Sequence, residues 1–568
     1  MANPGIKRRL LFIFLLFTTG FLFASLLLFN FQIIQGRDYR TIVDEELYKK
    51  KSKLLAERGV IYDRKGTILA FSEIVGVFYK GRGKLRGSPL KKSTRFILEH
   101  FPELRDSIFS LLTDEKREVL KVVGFEKGVN LAYALAKETL TPYFGVREDI
   151  SRRYPFPYFA NILGRVSEDT SKKGLWGLEK VYDNYLKGED GFIVYQRDAW
   201  GNISPYPSYP RKEPKNGCDV YLTLDKDIME ISYEELKRGV EEFQAKRGAV
   251  VILDCSSGEV LAIADYPLWC EEARSLRPYA LLWEFEPGSV FKLLIACACL
   301  ESKDCNNFLS QKYDVSSGAV EIGKWTIREY HNKKYGVIDF ADIIAYSSNC
   351  GVTHLSFLLP PRDYYSSLLD FGIGCPTGIE LEERKGYVPA LERIKENKEV
   401  PVILYATNTF GQGLRVTLMQ LACAYLAIAC EGNLLRPYLV KEIRRGDKVL
   451  RRGERLVGRR AISQKSAQKM KEILALVCEK GTGKNARITG EVTYGKTGTA
   501  QKPYRGVYTN KNVNTFVGFF PKEPKFLIAV MLDEPKGAAA ENAAVVFKRI
   551  GERIWSMSKY AGFLTTMK

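Results

Sequence analysis

Histidine is nearly absent: the 568 residues hold three, His100, His331 and His354. None stands in an HExxH pair, which excludes a zincin-type peptidase. A Ser-His-Asp hydrolase finds little support for the same reason, so hydrolytic or acyl chemistry here calls for another base. None of the 11 cysteines forms a CxxC pair, which removes zinc-ribbon and thioredoxin readings. All lie at or beyond Cys218, and an odd number leaves at least one thiol unpaired in any intramolecular scheme. Cys297 and Cys299 cannot bridge each other in the helix expected there and read as small core residues. The phosphate-cradling GxxxxGK[ST] loop is missing as well. Gly481-Thr482-Gly483-Lys484 imitates its end, but Asn485 follows the lysine, which sets nucleotide binding aside. Acidic residues are the minority, 67 against 86 Lys and Arg, for a formal charge of +19. That excess favours either anionic partners or a solvated basic surface. Long apolar runs are lacking except for one, which excludes a polytopic membrane protein. With 45% hydrophobic residues the chain is not disordered, and its length allows two or three domains.

The one apolar run begins at Leu10 and stays uncharged through Ile34. It is long enough to cross a bilayer, which takes about 20 residues. Lys7, Arg8 and Arg9 precede it and by the positive-inside rule hold the N-terminus in the cytoplasm. The alternative is a cleaved signal peptide. The run ends in Asn30-Phe31-Gln32-Ile33-Ile34, without a small-x-small cleavage site, and so favours an uncleaved anchor. The bulk of the chain then lies outside the cytoplasm, which argues against nucleic-acid partners.

Beyond the anchor, Gln35 to about Ala56 reads as an amphipathic helical stalk. Arg58 to Ala70 reads as two short strands around a turn ending in Gly66. Helical periodicity runs from Phe96 to Leu112. Residues 152–201 are rich in glycine and suggest an irregular, non-catalytic module. Pro205, Pro207, Pro210, Pro214 and Gly217 mark the best linker. A second pattern follows: a strand at Val220–Leu224, an amphipathic helix at Ile228–Phe243, and a hairpin over Ala249–Ala264. A second hairpin, Thr515–Phe520 with Phe526–Leu532, and a closing helix from Ala538 to Ser556 end the chain. Strands at both ends with helices between predict one α/β domain whose ends meet on one sheet. The expected division is 1–9 tail, 10–34 anchor, 35–210 stalk and pedestal, and 217–568 catalytic domain.

Three motifs stand in this last segment. In Glu286-Pro287-Gly288-Ser289-Val290-Phe291-Lys292, the Pro-Gly pair breaks the chain and an apolar helix follows. Ser289 then opens that helix, and Lys292 lies one turn on, on the same face. A serine hydroxyl is a weak nucleophile until a base takes its proton. Lysine serves as that base only when burial or nearby positive charge lowers its pKa. The helix N-terminus adds positive potential and free N–H groups for an oxyanion. SxxK alone is a common spacing: Ser88…Lys91, Ser466…Lys469 and Ser556…Lys559 share it without opening a buried helix behind Pro-Gly. The second motif is Ser347-Ser348-Asn349, with a hydroxyl for proton relay and a carboxamide for a substrate amide. An ordinary N-cap serine is the competing reading. The third is Tyr494-Gly495-Lys496-Thr497-Gly498-Thr499-Ala500. Its lysine and hydroxyls suit a carboxylate, and its glycines admit a neighbouring chain. A surface turn is the alternative.

SxxK, SxN and KTG in this order resemble the motif set of β-lactamases and penicillin-binding proteins. The chain is similar, over nearly its full length, to class B penicillin-binding proteins. Arg58-Gly59…Asp63-Arg64…Gly66 and Gly174…Gly177-Leu178-Glu179 resemble that family's pedestal motifs. Phe410-Gly411-Gln412-Gly413 and Lys496–Gln501 resemble its catalytic-domain motifs. The resemblance implies an α/β (α+β) transpeptidase domain, an antiparallel sheet with helices, behind a single transmembrane helix and an irregular α/β pedestal. It implies a peptidoglycan D,D-transpeptidase inhibited by β-lactams. Ser289 would attack the penultimate D-alanine carbonyl of a stem peptide and release the terminal D-alanine. Lys292 would be its base, Ser347 a proton relay, and Asn349 would orient the acyl chain. Lys496, Thr497 and Thr499 would bind the terminal carboxylate, with Gly498 a substrate-binding position between them. The backbone N–H groups of Ser289 and Thr499 would form the oxyanion hole. No metal or organic cofactor is implied. A polytopic SEDS-family glycosyltransferase and other divisome or elongation membrane proteins are implied as partners. Glu286 and the modest length resemble the division-type subgroup more than the elongation type. A D,D-carboxypeptidase and a non-catalytic scaffold of the same fold are the competing readings.

Overall fold

A computed structural model of the chain describes residues 4–41, 49–80, 95, 119–122, 144–167, 172–197, 203–204, 210–268, 278–504 and 507–566. The expected helix at 96–112 lies outside these residues. Two compact units are formed, Met1–Glu57 with Gly188–Gly217, and Arg58–Lys187 with Cys218–Lys568.

In the first unit, helix α1 (Pro4–Phe29) continues through a wider π-helical turn, Asn30–Ile34. Residues Gly5–Ile34 form a helix long and apolar enough to cross a membrane, with none of it buried in the protein. A backbone in hydrocarbon must satisfy its own hydrogen bonds, and a helix does so locally. A short helix, Gly36–Thr41, follows. The helical stalk stops short of Ala56, because Lys49–Leu54 is a strand, paired antiparallel with Gly191–Arg197. A ladder partner rich in Phe192, Ile193 and Val194 overrides the helical leaning of a lysine-rich segment.

The second unit opens on the hairpin expected at Arg58–Ala70, with Ile61 opposite Ala70. Its turn follows from Asp63, whose buried Oδ1 accepts from the N–H groups of Lys65 (2.8 Å) and Thr67 (2.7 Å). Gly66 there has φ +90°, a value few other residues adopt. The returning strand, Ile68–Lys80, is much longer than expected because Phe144–Arg153 pairs along it. The pedestal motifs meet through charge. Arg58 Nε donates to Glu179 (2.6 Å), Arg58 Nη1 to Asp183 (2.7 Å), and Arg152 Nε to Glu179 (2.7 Å). Asp219–Leu222 then joins the same sheet, parallel to Ile61–Tyr62 and antiparallel to Val440–Arg445.

The remaining helices used below are α2 (Lys226–Glu242), α3 (Lys292–Glu301), α4 (Asn349–Leu358), α5 (Leu418–Ala429), α6 (Gln464–Glu479) and α7 (Ala543–Thr566). The strands are β1 (Arg247–Asp254), β2 (Val260–Tyr266), β3 (Tyr494–Tyr504), β4 (Val507–Phe520) and β5 (Phe526–Asp533). They form one antiparallel sheet in the order β2-β1-β5-β4-β3. Both expected hairpins are thus present and meet at β1–β5. Every residue of β5 is buried, as is every residue of α5, which packs on β1 and β5. Gly248 of β1 turns toward α2, where a Cβ would lie 2.7 Å from Leu236 Cδ1. A sheet covered this way reads as unbroken apolar runs rather than as alternation. The closing helix starts at Ala543, later than Ala538, because Asn542 ties down the turn before it. Asn542 Nδ2 donates to the Lys536 carbonyl at 3.0 Å, and its Oδ1 accepts from Ala543 N–H at 2.6 Å.

Candidate active site

Ser289 sits on a single 3₁₀ turn, Gly288–Phe291, that leads straight into α3. Gly288 makes the break with φ +60°, and its N–H donates to the Gly411 carbonyl at 3.1 Å. Gly411 has φ +78°, and a Cβ there would lie 2.3 Å from the Gly288 carbonyl oxygen. The Phe410–Gly413 turn therefore backs the serine directly. On its other side stands β3. A Cβ on Gly288 would meet the Thr499 carbonyl oxygen at 2.8 Å, and one on Gly498 the Pro287 oxygen at 2.8 Å. Gly498 of the KTG strand is there for backbone approach. It brings the Ser289 and Thr499 segments side by side.

Lys292 is completely buried at the start of α3. Its Nζ donates to the Ser347 carbonyl (2.5 Å), to Asn349 Oδ1 (2.8 Å) and to Ser347 Oγ (3.3 Å). SxxK and SxN are thus one hydrogen-bonded cluster. Ser347 adopts φ +62°, a left-handed conformation uncommon for a residue with a Cβ. Ser348, the middle residue, is the N-cap of α4 and accepts from Gly351 N–H at 2.8 Å. The N-cap reading of this motif therefore holds for Ser348, while Ser347 faces the lysine.

Burial pushes the Lys292 amine down to about 7, against the raising effect of Glu329 and Cys350. Lys496, also fully buried, lies well below the usual lysine value, first through burial and then through the positive charge of Lys292. The two amines therefore share one water-poor site. Lys496 Nζ donates to the Thr497 carbonyl at 3.3 Å. Burial pushes the Cys350 thiol up to about 12, which makes it an inert core group.

All eight residues singled out in the sequence, Ser289, Lys292, Ser347, Asn349, Lys496, Thr497, Gly498 and Thr499, fall in this one neighbourhood. Two more belong to it. Thr482 Oγ1 accepts from Thr497 Oγ1 at 2.8 Å, and its N–H donates to the Ala345 carbonyl at 3.1 Å. It sits in the turn that imitates a phosphate loop, and its two glycines were the available signal. Glu329, 3% exposed, holds the N-terminus of α4. Nothing local marks it in the sequence. Glu286 accepts from Gly413 N–H (3.2 Å) and Tyr508 Oη (3.2 Å), tying the Ser289 turn to β4. Ser466 of the competing SxxK spacing is an ordinary first-turn residue of α6, its N–H donating to Ser463 Oγ. Among the described residues no three His, Cys, Asp or Glu are placed to hold a metal ion.

The Ser289 turn, a buried lysine and the SxN and KTG residues thus form one cluster, and comparison with known proteins places the chain. The penicillin binding protein transpeptidase domain matches residues 248–552, and the penicillin-binding protein dimerisation domain matches residues 53–222. Stage V sporulation protein D of Bacillus subtilis is 29% identical, over 97% of this chain and 85% of that protein. The probable peptidoglycan D,D-transpeptidase PenA of Neisseria meningitidis is 31% identical, over 90% of this chain and 85% of that protein. The crystal structure of penicillin binding protein 3 from Mycobacterium tuberculosis, complexed with aztreonam, superposes with a TM-score of 0.65 at 25% identity. It covers 89% of this chain and 97% of that one. The chain belongs to the class B penicillin-binding proteins.

Proposed function

We propose that this protein is a serine-type peptidoglycan D,D-transpeptidase that cross-links stem peptides through an acyl-enzyme on Ser289. The observation that carries the reading is Lys292: buried, depressed to about 7, and hydrogen-bonded to both Ser347 and Asn349 beside the serine turn. A neutral amine is thereby available near neutral pH to take the hydroxyl proton. Ser289 Oγ attacks the penultimate D-alanine carbonyl. The N–H groups of Ser289 and Thr499 hold the oxyanion, which the close packing of Gly288 on Thr499 supports. Ser347 passes the proton to the leaving D-alanine amine. Lys496, Thr497 and Thr499 hold its carboxylate, Gly498 lets the strand lie against the substrate, and Asn349 orients the acyl chain. An amine of a second stem then takes the acyl group and regenerates the serine.

β-Lactams fit the same site, in keeping with the aztreonam complex of the Mycobacterium relative. The apolar helix supports a single-pass anchor. Lys7, Arg8 and Arg9 support a cytoplasmic N-terminus and a catalytic domain outside the inner membrane. Family spans 53–222 and 248–552 support a division into pedestal (35–210) and catalytic domain (217–568). Glu286 supports a septal role, and family membership supports a SEDS-type glycosyltransferase partner. Product analysis with a pentapeptide donor and an amine acceptor tests the reaction. Cross-linked dimer with free D-alanine is expected. Tetrapeptide alone would make the protein a carboxypeptidase instead.

A further inference from the structure

One buried carboxylate stands beside this machinery with no part in the steps above. Glu329 directly follows the strand Trp325–Arg328 and reaches the SxN turn, 3% exposed. Its Oε2 accepts from Asn349 N–H at 2.8 Å and its Oε1 from Cys350 N–H at 3.1 Å. Its Oε1 also accepts from the Ser348 hydroxyl. Both oxygens are therefore spent on the first turn of α4. The preceding carbonyl, Arg328 O, accepts from Asn349 Nδ2 at 2.9 Å. Asn349 is thus held at its backbone by Glu329, at its amide nitrogen by Arg328, and at its amide oxygen by Lys292.

The carboxylate does not replace the lysine's own partners. Lys292 Nζ gives its hydrogen bonds to Ser347 and Asn349, and Glu329 acts on it through space. The other groups facing Lys292 are the Cys350 thiol and the Lys496 amine. Those facing Glu329 are the Ser348 hydroxyl, Cys350, and Tyr335, whose phenol is raised first by burial and then by the Glu329 charge. Within this set Glu329 is the acidic group against two buried amines, in a site where charges act at low dielectric.

We propose that Glu329 is a positioning residue for acyl transfer: its carboxylate locks the α4 N-terminus that presents Asn349 and Ser347 to Lys292, and stands as the acidic group of that cluster. The inference rests on the proposed reaction. It differs from a purely structural role in one respect. A cap that merely steadied α4 would change the rate at every pH alike. A charge that tunes the base moves the pH at which the base becomes free.

The test is the pH profile of acylation by a fluorescent penicillin, measured on the full-length chain in detergent. Wild type, Glu329→Gln and Glu329→Asp are compared. Gln keeps the size and one acceptor oxygen but removes the charge. Its ascending limb should move to lower pH by about one unit, and its plateau should fall about tenfold as α4 loosens. Asp keeps the charge with a shorter reach. It should return the limb to its wild-type position with a reduced plateau. A folded Gln variant with an unmoved limb overturns the inference, whatever its rate. If the Gln variant does not fold, Glu329→Asn, which also removes the charge, decides: a limb moved to lower pH supports the inference, and an unmoved limb overturns it. A wild type that does not label on Ser289 would sink the proposed reaction itself, and this inference with it.

Discussion

In the proposed reaction Lys292 has to be neutral before it can take the Ser289 proton, and its surroundings decide when that happens. Burial favours the uncharged amine and lowers its pKa to about 7. The protonated form, which the proposed reaction cannot use as a base, therefore dominates below that value. Acylation is expected to rise with pH through about 7 and to level off above it, which a stopped-flow series with a chromogenic cephalosporin measures. Lys292→Ala should slow acylation by about 10²–10⁴-fold, the ordinary contribution of a general base. Circular dichroism should show the fold unchanged. Thr482→Val removes a hydroxyl that bonds Thr497 and keeps the shape. It should slow acylation by up to about tenfold, the worth of one hydrogen bond. Lys292 and Thr482 also show what was legible in the sequence. The SxxK, SxN and KTG residues are readable because each motif carries its chemistry within a few positions. Glu329 joins the site through contacts with residues distant in the chain, and no local pattern announces that; for Thr482 the two glycines of its turn were the only local mark.

At the scale of elements, the site is a meeting of turns. The Pro-Gly turn before α3, the Phe410–Gly413 turn and the edge strand β3 approach one another through glycine backbones. Gly411→Ala should be disproportionately harmful. It places a Cβ 2.3 Å from the Gly288 carbonyl oxygen and costs about 1–2 kcal/mol for the left-handed conformation alone. Thermal melts should show the loss, and penicillin labelling should fall further than stability does, because the displaced turn carries Ser289. The hairpins β1–β2 and β4–β5 were legible as apolar runs around polar turns. The strand at Lys49–Leu54 was not. Four lysines in six residues make no β signal, and only the partner strand Gly191–Arg197 defines it.

At the scale of the whole molecule, the pedestal segments 58–80 and 144–187 cluster with residues 218–568. A linear reading places a boundary in the proline-rich stretch near residue 210. Just beyond it, Asp219–Leu222 pairs with Ile61–Tyr62 in one sheet, a pairing that no composition shift reveals. The ionic cluster of Arg58, Arg152, Glu179 and Asp183 lies in this unit. Glu179 is fully buried, with arginines on both its oxygens. Glu179→Ala would leave two largely buried guanidinium groups short of a partner and should cost about 3–5 kcal/mol. Urea denaturation followed by tryptophan fluorescence measures it.

The central claim is an acyl-enzyme on Ser289, and one measurement addresses it directly. The full-length chain and Ser289→Ala are incubated with fluorescent penicillin, digested, and the labelled peptide is sequenced by mass spectrometry. A stable adduct on Ser289 in the wild type, and none in the folded variant, is the predicted result. A wild-type adduct on another residue, or equal labelling of the variant, would contradict the account.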